Sequence, residues 1–406
     1  MPGSGTGCCG PVTVHERAVR SALRKANLTG TFVLGKFGLS PSMACAHGCA
    51  YCDGRAERYW VEGDFDRDIV VRPNLPSLLA AQLPKLRERG FISIGSGITD
   101  AYQPVPAVLS VTRRCAQILA QADHPVVVLT KSALAAADLG LWREVNRRSR
   151  FLLVVSLTHS DDTSRAQYEP HASPVEERLE TLRAFRAAGC AVGVLAMPLL
   201  PGITDTEANL TRLYDRLAEI GVDFVQPGEL TLRPGRQKAF YLERIAEHHP
   251  GLLQEYRRLY AEERTSGAPL RAYASATWKR AIAHNSRVSI PFLPPHRLYR
   301  GLLHRYDELN VLLNHMRELY RAAGIGTARL DAACTRYLEW LLPRKAVVNR
   351  RPSVRYEEID VDLIAASKGS ATPAITEIVQ NERLASLIRS VVVDRAVFDY
   401  CARRLG

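Results

Sequence analysis

Between residues 38 and 231 the chain alternates short apolar, β-branched runs with helical patterns, and no other feature limits its fold so tightly. The runs are GLSPSM (38–43), FISIGSG (91–97), PVVVLTK (125–131), FLLVVSLT (151–158), AVGVLAMPL (191–199) and DFVQPGELT (223–231). Helical patterns over 75–90, 108–122, 134–149, 174–189 and 206–221 separate them, and several close on a glycine such as Gly90, Gly189 or Gly221, the usual helix stop. Strands that read as continuous apolar runs, with helices between them, belong to a parallel sheet covered on both faces. Six β/α units are fewer than the eight of a closed barrel. An open partial barrel and a doubly wound sheet both satisfy the pattern. In either one, function gathers at the C-terminal ends of the strands.

At 406 residues the chain exceeds one compact core and divides into a β/α part and a satellite. We expect an N-terminal extension over 1–30, a β/α core over 31–267 and a mainly helical domain over 268–406. In the last, Tyr306, Leu309, Leu313, Met316 and Tyr320 share one helical face and Gly324 ends it. No apolar run reaches the length of a membrane span, and the N-terminus shows no signal-type hydrophobic stretch. The expectation is a cytoplasmic protein with reduced thiols and no membrane partner. A net charge of +12 suits a polyanionic partner such as nucleic acid, and equally an evenly solvated basic surface.

Nine cysteines are an odd number, and only Cys45, Cys49 and Cys52 are tightly clustered, at C-x3-C-x2-C spacing. That favours a metal site over cross-links. Structural zinc fills four tetrahedral corners, so a zinc reading needs a fourth ligand such as His47. A cubane [4Fe–4S] cluster takes four cysteines. Held by three, it keeps one iron open to a small molecule. The cysteines follow strand 1, and GSGITDAYQP, TKS, SLTHSDD and MPLLPGITD follow strands 2 to 5, so the topology collects them into one site.

The C-x3-C-x2-C motif, with Tyr51 before its last cysteine and a strand before it, resembles the signature of the radical S-adenosylmethionine (SAM) enzymes. That resemblance implies a partial (β/α)6 TIM-type barrel, here with a mainly helical C-terminal domain. It also implies a [4Fe–4S] cluster on Cys45, Cys49 and Cys52, and SAM on the open iron. An electron donor such as flavodoxin or ferredoxin would reduce the cluster, and cleavage of SAM would give a 5′-deoxyadenosyl radical. Over residues 38–232, TDAYQPV (99–105), LTKS (129–132), VVSLTHSDD (154–162), Glu169 with Arg178, and MPLLPGITD (197–205) resemble the spore photoproduct lyase-like group. On that likeness Tyr51, Thr99, Lys131, Ser156 and Arg178 serve the cofactors, while Asp100 and Tyr102 face the substrate, DNA or RNA. Asp100 could instead cap a following helix. Two positions depart from the group: Gly97 stands where spore photoproduct lyases carry a hydrogen-donating cysteine, and Asp53 where a tyrosine follows the last cluster cysteine. The other reading is a zinc-stabilised, non-catalytic nucleic-acid-binding protein.

Other features carry less. Cys8 and Cys9 sit in a glycine-rich start, Cys115 in a helical pattern, and Cys190 before strand 5, away from the site. His248 and His249 end a helical pattern, where imidazolium suits the helix dipole. Arg344, Lys345, Arg350, Arg351 and Arg355 form a basic stretch able to meet phosphates or to stay solvated.

Overall fold

The six apolar runs can bury both faces only if every second residue packs against helices and the others against something else. A computed structural model describing residues 11–26, 34–95 and 97–406 shows how this is done. The strands are β1 (Thr13–Glu16), β2 (Leu23–Lys25), β3 (Gly35–Leu39), β4 (Ser42–Met43), β5 (Asp68–Val71), β6 (Phe91–Ile94), β7 (Val126–Thr130), β8 (Phe151–Ser156), β9 (Ala191–Leu199) and β10 (Phe224–Glu229). The principal sheet runs β10-β9-β8-β7-β6-β3-β2, parallel throughout except for the antiparallel edge strand β2. A small sheet, β1-β5-β4, stands beside it. The segment set apart as 1–30 therefore supplies strands to both sheets. Cys8 and Cys9 lie outside the described residues.

Helices α1 (Leu75–Gln82), α2 (Pro106–Leu119), α3 (Leu139–Arg148), α4 (Asp162–Tyr168), α5 (Val175–Ala187) and α6 (Glu207–Ile220) fall between the strands. Ile92, Ile94, Val126, Val128, Leu153, Val155, Val192 and Val194 pack against them. The alternate set, Phe91, Val127, Leu152, Val154, Leu195 and Phe224, meets Leu298, Tyr299, Leu303 and Val311 of the C-terminal part, which fill the other face. This is the partial barrel, its helices on one side and a plug on the other.

Two boundaries differ from the sequence reading. The first strand runs 35–39 rather than 38–43, because Pro41 has no N–H for the ladder, and Ser42–Met43 pair instead with β5. The first helix stops at Gln82, short of Gly90, and a 3₁₀ turn over Leu83–Lys85 follows, where Pro84 breaks the α-helical bonding. Gly189 and Gly221 do close α5 and α6, with φ of 79° and 71°.

After β10 come α7 (Arg236–His248), α8 (Leu253–Leu259) and α9 (Arg271–Arg287). Then α10 (Arg305–Ala322), α11 (Ala328–Arg350), α12 (Tyr356–Lys368), α13 (Ile375–Val379) and α14 (Glu382–Val392) form a second core. Tyr306, Leu309, Leu313 and Met316 are buried in it, with Tyr320 at its edge. Helix α11 continues through Pro343, a residue that ordinarily breaks a helix, because its last turns bury Val348 and carry Lys345 to Asp307. Tertiary contacts override the local penalty. The chain ends in a hairpin, β11 (Phe398–Asp399) with β12 (Arg404–Leu405), in place of continued helix. No helix among the described residues is long and apolar enough to cross a membrane.

Candidate active site

The loop after β4 carries Cys45, Cys49 and Cys52, and its path is fixed by hydrogen bonds rather than by regular structure. Cys45 N donates to Phe65 O (3.1 Å), Ala46 N to Gln103 Oε1 (2.7 Å), and Ala50 N to Tyr168 O (2.8 Å). Arg55 donates to the carbonyls of Gly48 and Cys49 (3.0 Å each) and to Asp66 (2.8 Å), with its guanidinium 4.0 Å over the Phe240 ring. Gly48 turns the loop at φ 66°, and a Cβ there would lie 3.3 Å from both Asp66 and His171. Only glycine takes that conformation in that space without strain.

All three thiols are free and line one cavity, which encloses about 950 Å³ including its open mouth. It lies at the C-terminal ends of the parallel strands. Tyr51, Thr99, Asp100, Lys131 and Ser156 line it as well. The topology thus unites eight of the ten candidate residues. The other two lie elsewhere. Tyr102 is 1% exposed in the core, its hydroxyl donating to Asp138 (3.0 Å) and accepting from Trp142 Nε1 (2.8 Å). That leaves it no access to a substrate. Arg178 is sealed behind the wall, bonded to Ser156 O (3.0 Å), Ser173 O (2.7 Å) and Glu169. It acts on the cavity only through those partners.

Within the wall the polar groups divide into engaged and free. Asp100 accepts from Tyr102 N, Thr130 Oγ1 and Lys131 N (2.8 Å each), so its carboxylate ties strand ends together and caps its own turn rather than helix α2. Thr99 bonds Ser42 (2.7 Å) and donates to Ala44 O (2.9 Å), supporting the start of the cysteine loop. Tyr51 donates to Glu169, which also pairs with Arg178. Burial alone would raise the Glu169 carboxyl, but Arg178, His159 and Lys131 outweigh it and hold it down at about 2. Lys131 differs. Its half-buried ammonium has no hydrogen bond or ion pair with a described residue, and lies 5.7 Å from the Tyr51 ring. Burial would lower its pKa, but interaction with Cys49, Glu169 and Cys52 raises it, Glu169 being the one of the three that is ionised at neutral pH, so the ammonium stays charged there.

Burial pushes the Cys45 thiol well up, aided by Asp100 and Cys49; it pushes Cys49 up to about 12, and Cys52 is raised as well. The three thiols are therefore protonated at neutral pH, and binding metal would release protons. His47, the fourth ligand of the zinc reading, lies 3.5 Å from Asp100 through Nδ1, and its buried Nε2 has no hydrogen-bond partner among the described residues. Among the described residues no three His, Cys, Asp or Glu side chains gather closely enough to hold a single ion.

Residues 39–214 match the family model described as the Radical SAM superfamily. That stretch of the chain is similar to radical SAM domains. Uncharacterized protein Rv2578c of Mycobacterium tuberculosis is 29% identical over 255 residues, which is 61% of this chain and 74% of that protein. Uncharacterized protein ORF301 of Acidianus two-tailed virus is 28% identical over 205 residues, 47% of this chain and 65% of that protein. The structure of spore photoproduct lyase complexed with dinucleoside spore photoproduct superposes with a TM-score of 0.50 at 14% identity, covering 68% of this chain and 79% of that one. This likeness shows a shared fold.

The cofactors of a radical SAM domain are a [4Fe–4S] cluster and SAM. The residues present fit them: three unbridged soft thiol donors on one cavity wall, with the Lys131 ammonium, unpaired among the described residues, beside them. Sequence reasoning missed the buttress beneath the loop. Asp53, noted only as a departure, accepts from Thr231 (2.9 Å), Gln237 (3.2 Å) and Arg233 (3.2 Å), and Gln237 also donates to Tyr51 O (3.0 Å). Met197, the first residue of MPLLPGITD, lines the cavity from β9, and Glu229 and Thr231, at and just beyond the end of β10, line it without any motif to mark them. Gly97 lines it too, and a Cβ there would meet no atom within 4 Å, so packing does not exclude a larger side chain.

Proposed function

We propose that this chain is a radical SAM enzyme in which Cys45, Cys49 and Cys52 hold the [4Fe–4S] cluster and the cavity beside them seats SAM. When bound and reduced, that pair of cofactors supplies a 5′-deoxyadenosyl radical able to take a hydrogen atom from a substrate. The protein binds, orients and excludes water. Lys131 holds the carboxylate of SAM by a charge-assisted hydrogen bond, and the Ser156 hydroxyl at the end of β8 meets its sugar. Leu129, Leu195, Met197 and Leu230 keep the cavity wall apolar. Thr99 and Asp100 are positioning residues, since their oxygens hold the loop and the strand ends. Arg178 positions Tyr51 through Glu169.

The observation that carries this reading is the convergence on a single cavity of three free thiols and an ammonium that is unpaired among the described residues. For the substrate, the net charge of +12 and the fold shared with spore photoproduct lyase support DNA or RNA. Gly97 in place of a thiol separates the chain from that lyase itself, so we assign it to the wider spore photoproduct lyase-like group. A low-potential carrier of the flavodoxin or ferredoxin class is the reductant, and the cytoplasm, where thiols stay reduced, is the compartment. Elemental analysis after anaerobic reconstitution tests the cluster. Iron and acid-labile sulfide near four per chain, lost in Cys49→Ala, are expected. Stoichiometric zinc without sulfide would favour the non-catalytic reading.

A further inference from the structure

Charge is not spread evenly along the chain. Residues 268–406 hold 22 Lys and Arg against 13 Asp and Glu, whereas residues 1–267 hold 32 against 29. The basic stretch of the C-terminal part then divides in three dimensions. Arg344 lies 4.2 Å over the Trp340 ring and pairs with Asp362 at 3.4 Å. Lys345 turns inward to Asp307 and Glu88, at 3.2 Å each. Arg350, Arg351 and Arg355 remain exposed, and the first two form no ion pair with described residues.

The segment before β6 comes to the same place. Arg87 donates to Val354 O and lies 5.4 Å over the Tyr356 ring. Arg89 acts with Arg355 on the Glu357 carboxylate at the start of α12. Lys85, Arg87 and Arg89 are all exposed. Two distant segments, with six exposed cations between them, thus meet through Arg87 and Arg89 against Val354, Tyr356 and Glu357. The acids among them do not cancel the charge: Glu88 is buried and satisfied by Lys25, Lys36 and Lys345, leaving Glu357 and Glu358. Five of the six are arginines, whose planar fork matches phosphate oxygens in pairs.

We propose that this surface binds the phosphate backbone of nucleic acid. It lies at the N-terminal end of the barrel, where the 83–90 loop enters β6, whereas the cysteine cavity lies at the C-terminal end. It is therefore a tether, separate from the reacting site, and it stands whether or not the enzyme's substrate is a nucleic acid. The basic stretch legible in sequence is only half of it.

The test uses the full chain and a labelled mixed-sequence DNA duplex, with binding followed by fluorescence anisotropy across a salt series. Affinity should fall linearly on a log–log plot, and the variant R350A/R351A/R355A should flatten the slope by about 2 to 3, at roughly 0.9 per phosphate contact. K85A/R89A, on the other segment, should flatten it by about 1 to 2 on the same footing. R350K/R351K/R355K should keep most of the slope, and thermal melting should match the parent in all three. Absence of binding, salt-independent binding, or slopes unchanged in both alanine variants would overturn the proposal. So would binding to phosphatidylserine vesicles with none to the duplex.

Discussion

Lys131 pairs with no acid among the described residues, and its replacement separates cofactor binding from loop structure. Lys131→Met should weaken SAM binding by about 10- to 100-fold, the worth of one charged hydrogen bond, while iron content stays at the parent level. Equilibrium dialysis with the reconstituted protein reads both. Equal SAM affinity would remove Lys131 from the binding site. Glu169 makes the opposite kind of contribution. Glu169→Gln should cost about 3 kcal/mol in a denaturant titration, because Arg178 is left buried without its counter-charge. The pH dependence has a definite sign. The folded-state carboxyl sits near 2, below its ordinary value of 4.5. Its stabilisation is therefore complete above about pH 5 and is lost as pH falls from there through about 2. The Gln variant should show a shallower loss over that window.

At the scale of elements, the cysteine loop depends on supports drawn from distant strands and helices. Gly48→Ala would force a Cβ into the left-handed region and against Asp66 and His171. Reconstituted iron per chain should fall to under about half of the parent value while most of the fold survives, since the strain is local, at about 1–3 kcal/mol. Full iron incorporation would show the loop to be adaptable. Helix α11 offers a test on stability alone. Pro343 is exposed in its interior, so Pro343→Ala should raise stability by about 1 to 3 kcal/mol in a urea titration. These elements also show what sequence can reveal. Strands β6 to β10 are legible because each is a continuous apolar run with a helix to follow. The first strand is displaced because Pro41 divides one apolar stretch between two sheets, and β1 and β2 carry no apolar run at all. In the site, the cysteines, Lys131 and Ser156 are legible from spacing and from strand ends. Tyr102 is misplaced because a place after a strand end does not fix which way a side chain turns, and Arg178 because it sits in α5 and points at Glu169 behind the wall rather than into the cavity. Asp53, Arg233 and Gln237 meet only through long-range packing, which leaves no local pattern.

On the scale of the whole molecule, the C-terminal helices are bound to the barrel by buried charge as well as by apolar packing. Lys36, 1% exposed on β3, donates to Glu88 and to Asp307 of α10 (2.7 Å each), and Lys345 of α11 completes the group. Burial lowers the Lys36 ammonium, although Asp307 and Glu88 oppose the shift. Removing one carboxylate exposes that cost. Asp307→Asn should destabilise by about 3 to 5 kcal/mol in the melting of the helical part. A melting curve that matches the parent would mean the helices are held by apolar contact alone. The plug formed by Leu298, Tyr299, Leu303 and Val311 keeps the inner face of the barrel dry, so the reactive end stays confined to the cavity beside the cysteines. The most direct test of that assignment is 5′-deoxyadenosine formation by anaerobically reconstituted protein given SAM and dithionite. The product should form with the parent chain, vanish in Cys49→Ala, and return in Lys131→Met when SAM is raised. Product at the parent rate from Cys49→Ala, or none from a parent chain with an intact cluster and bound SAM, would contradict the assignment.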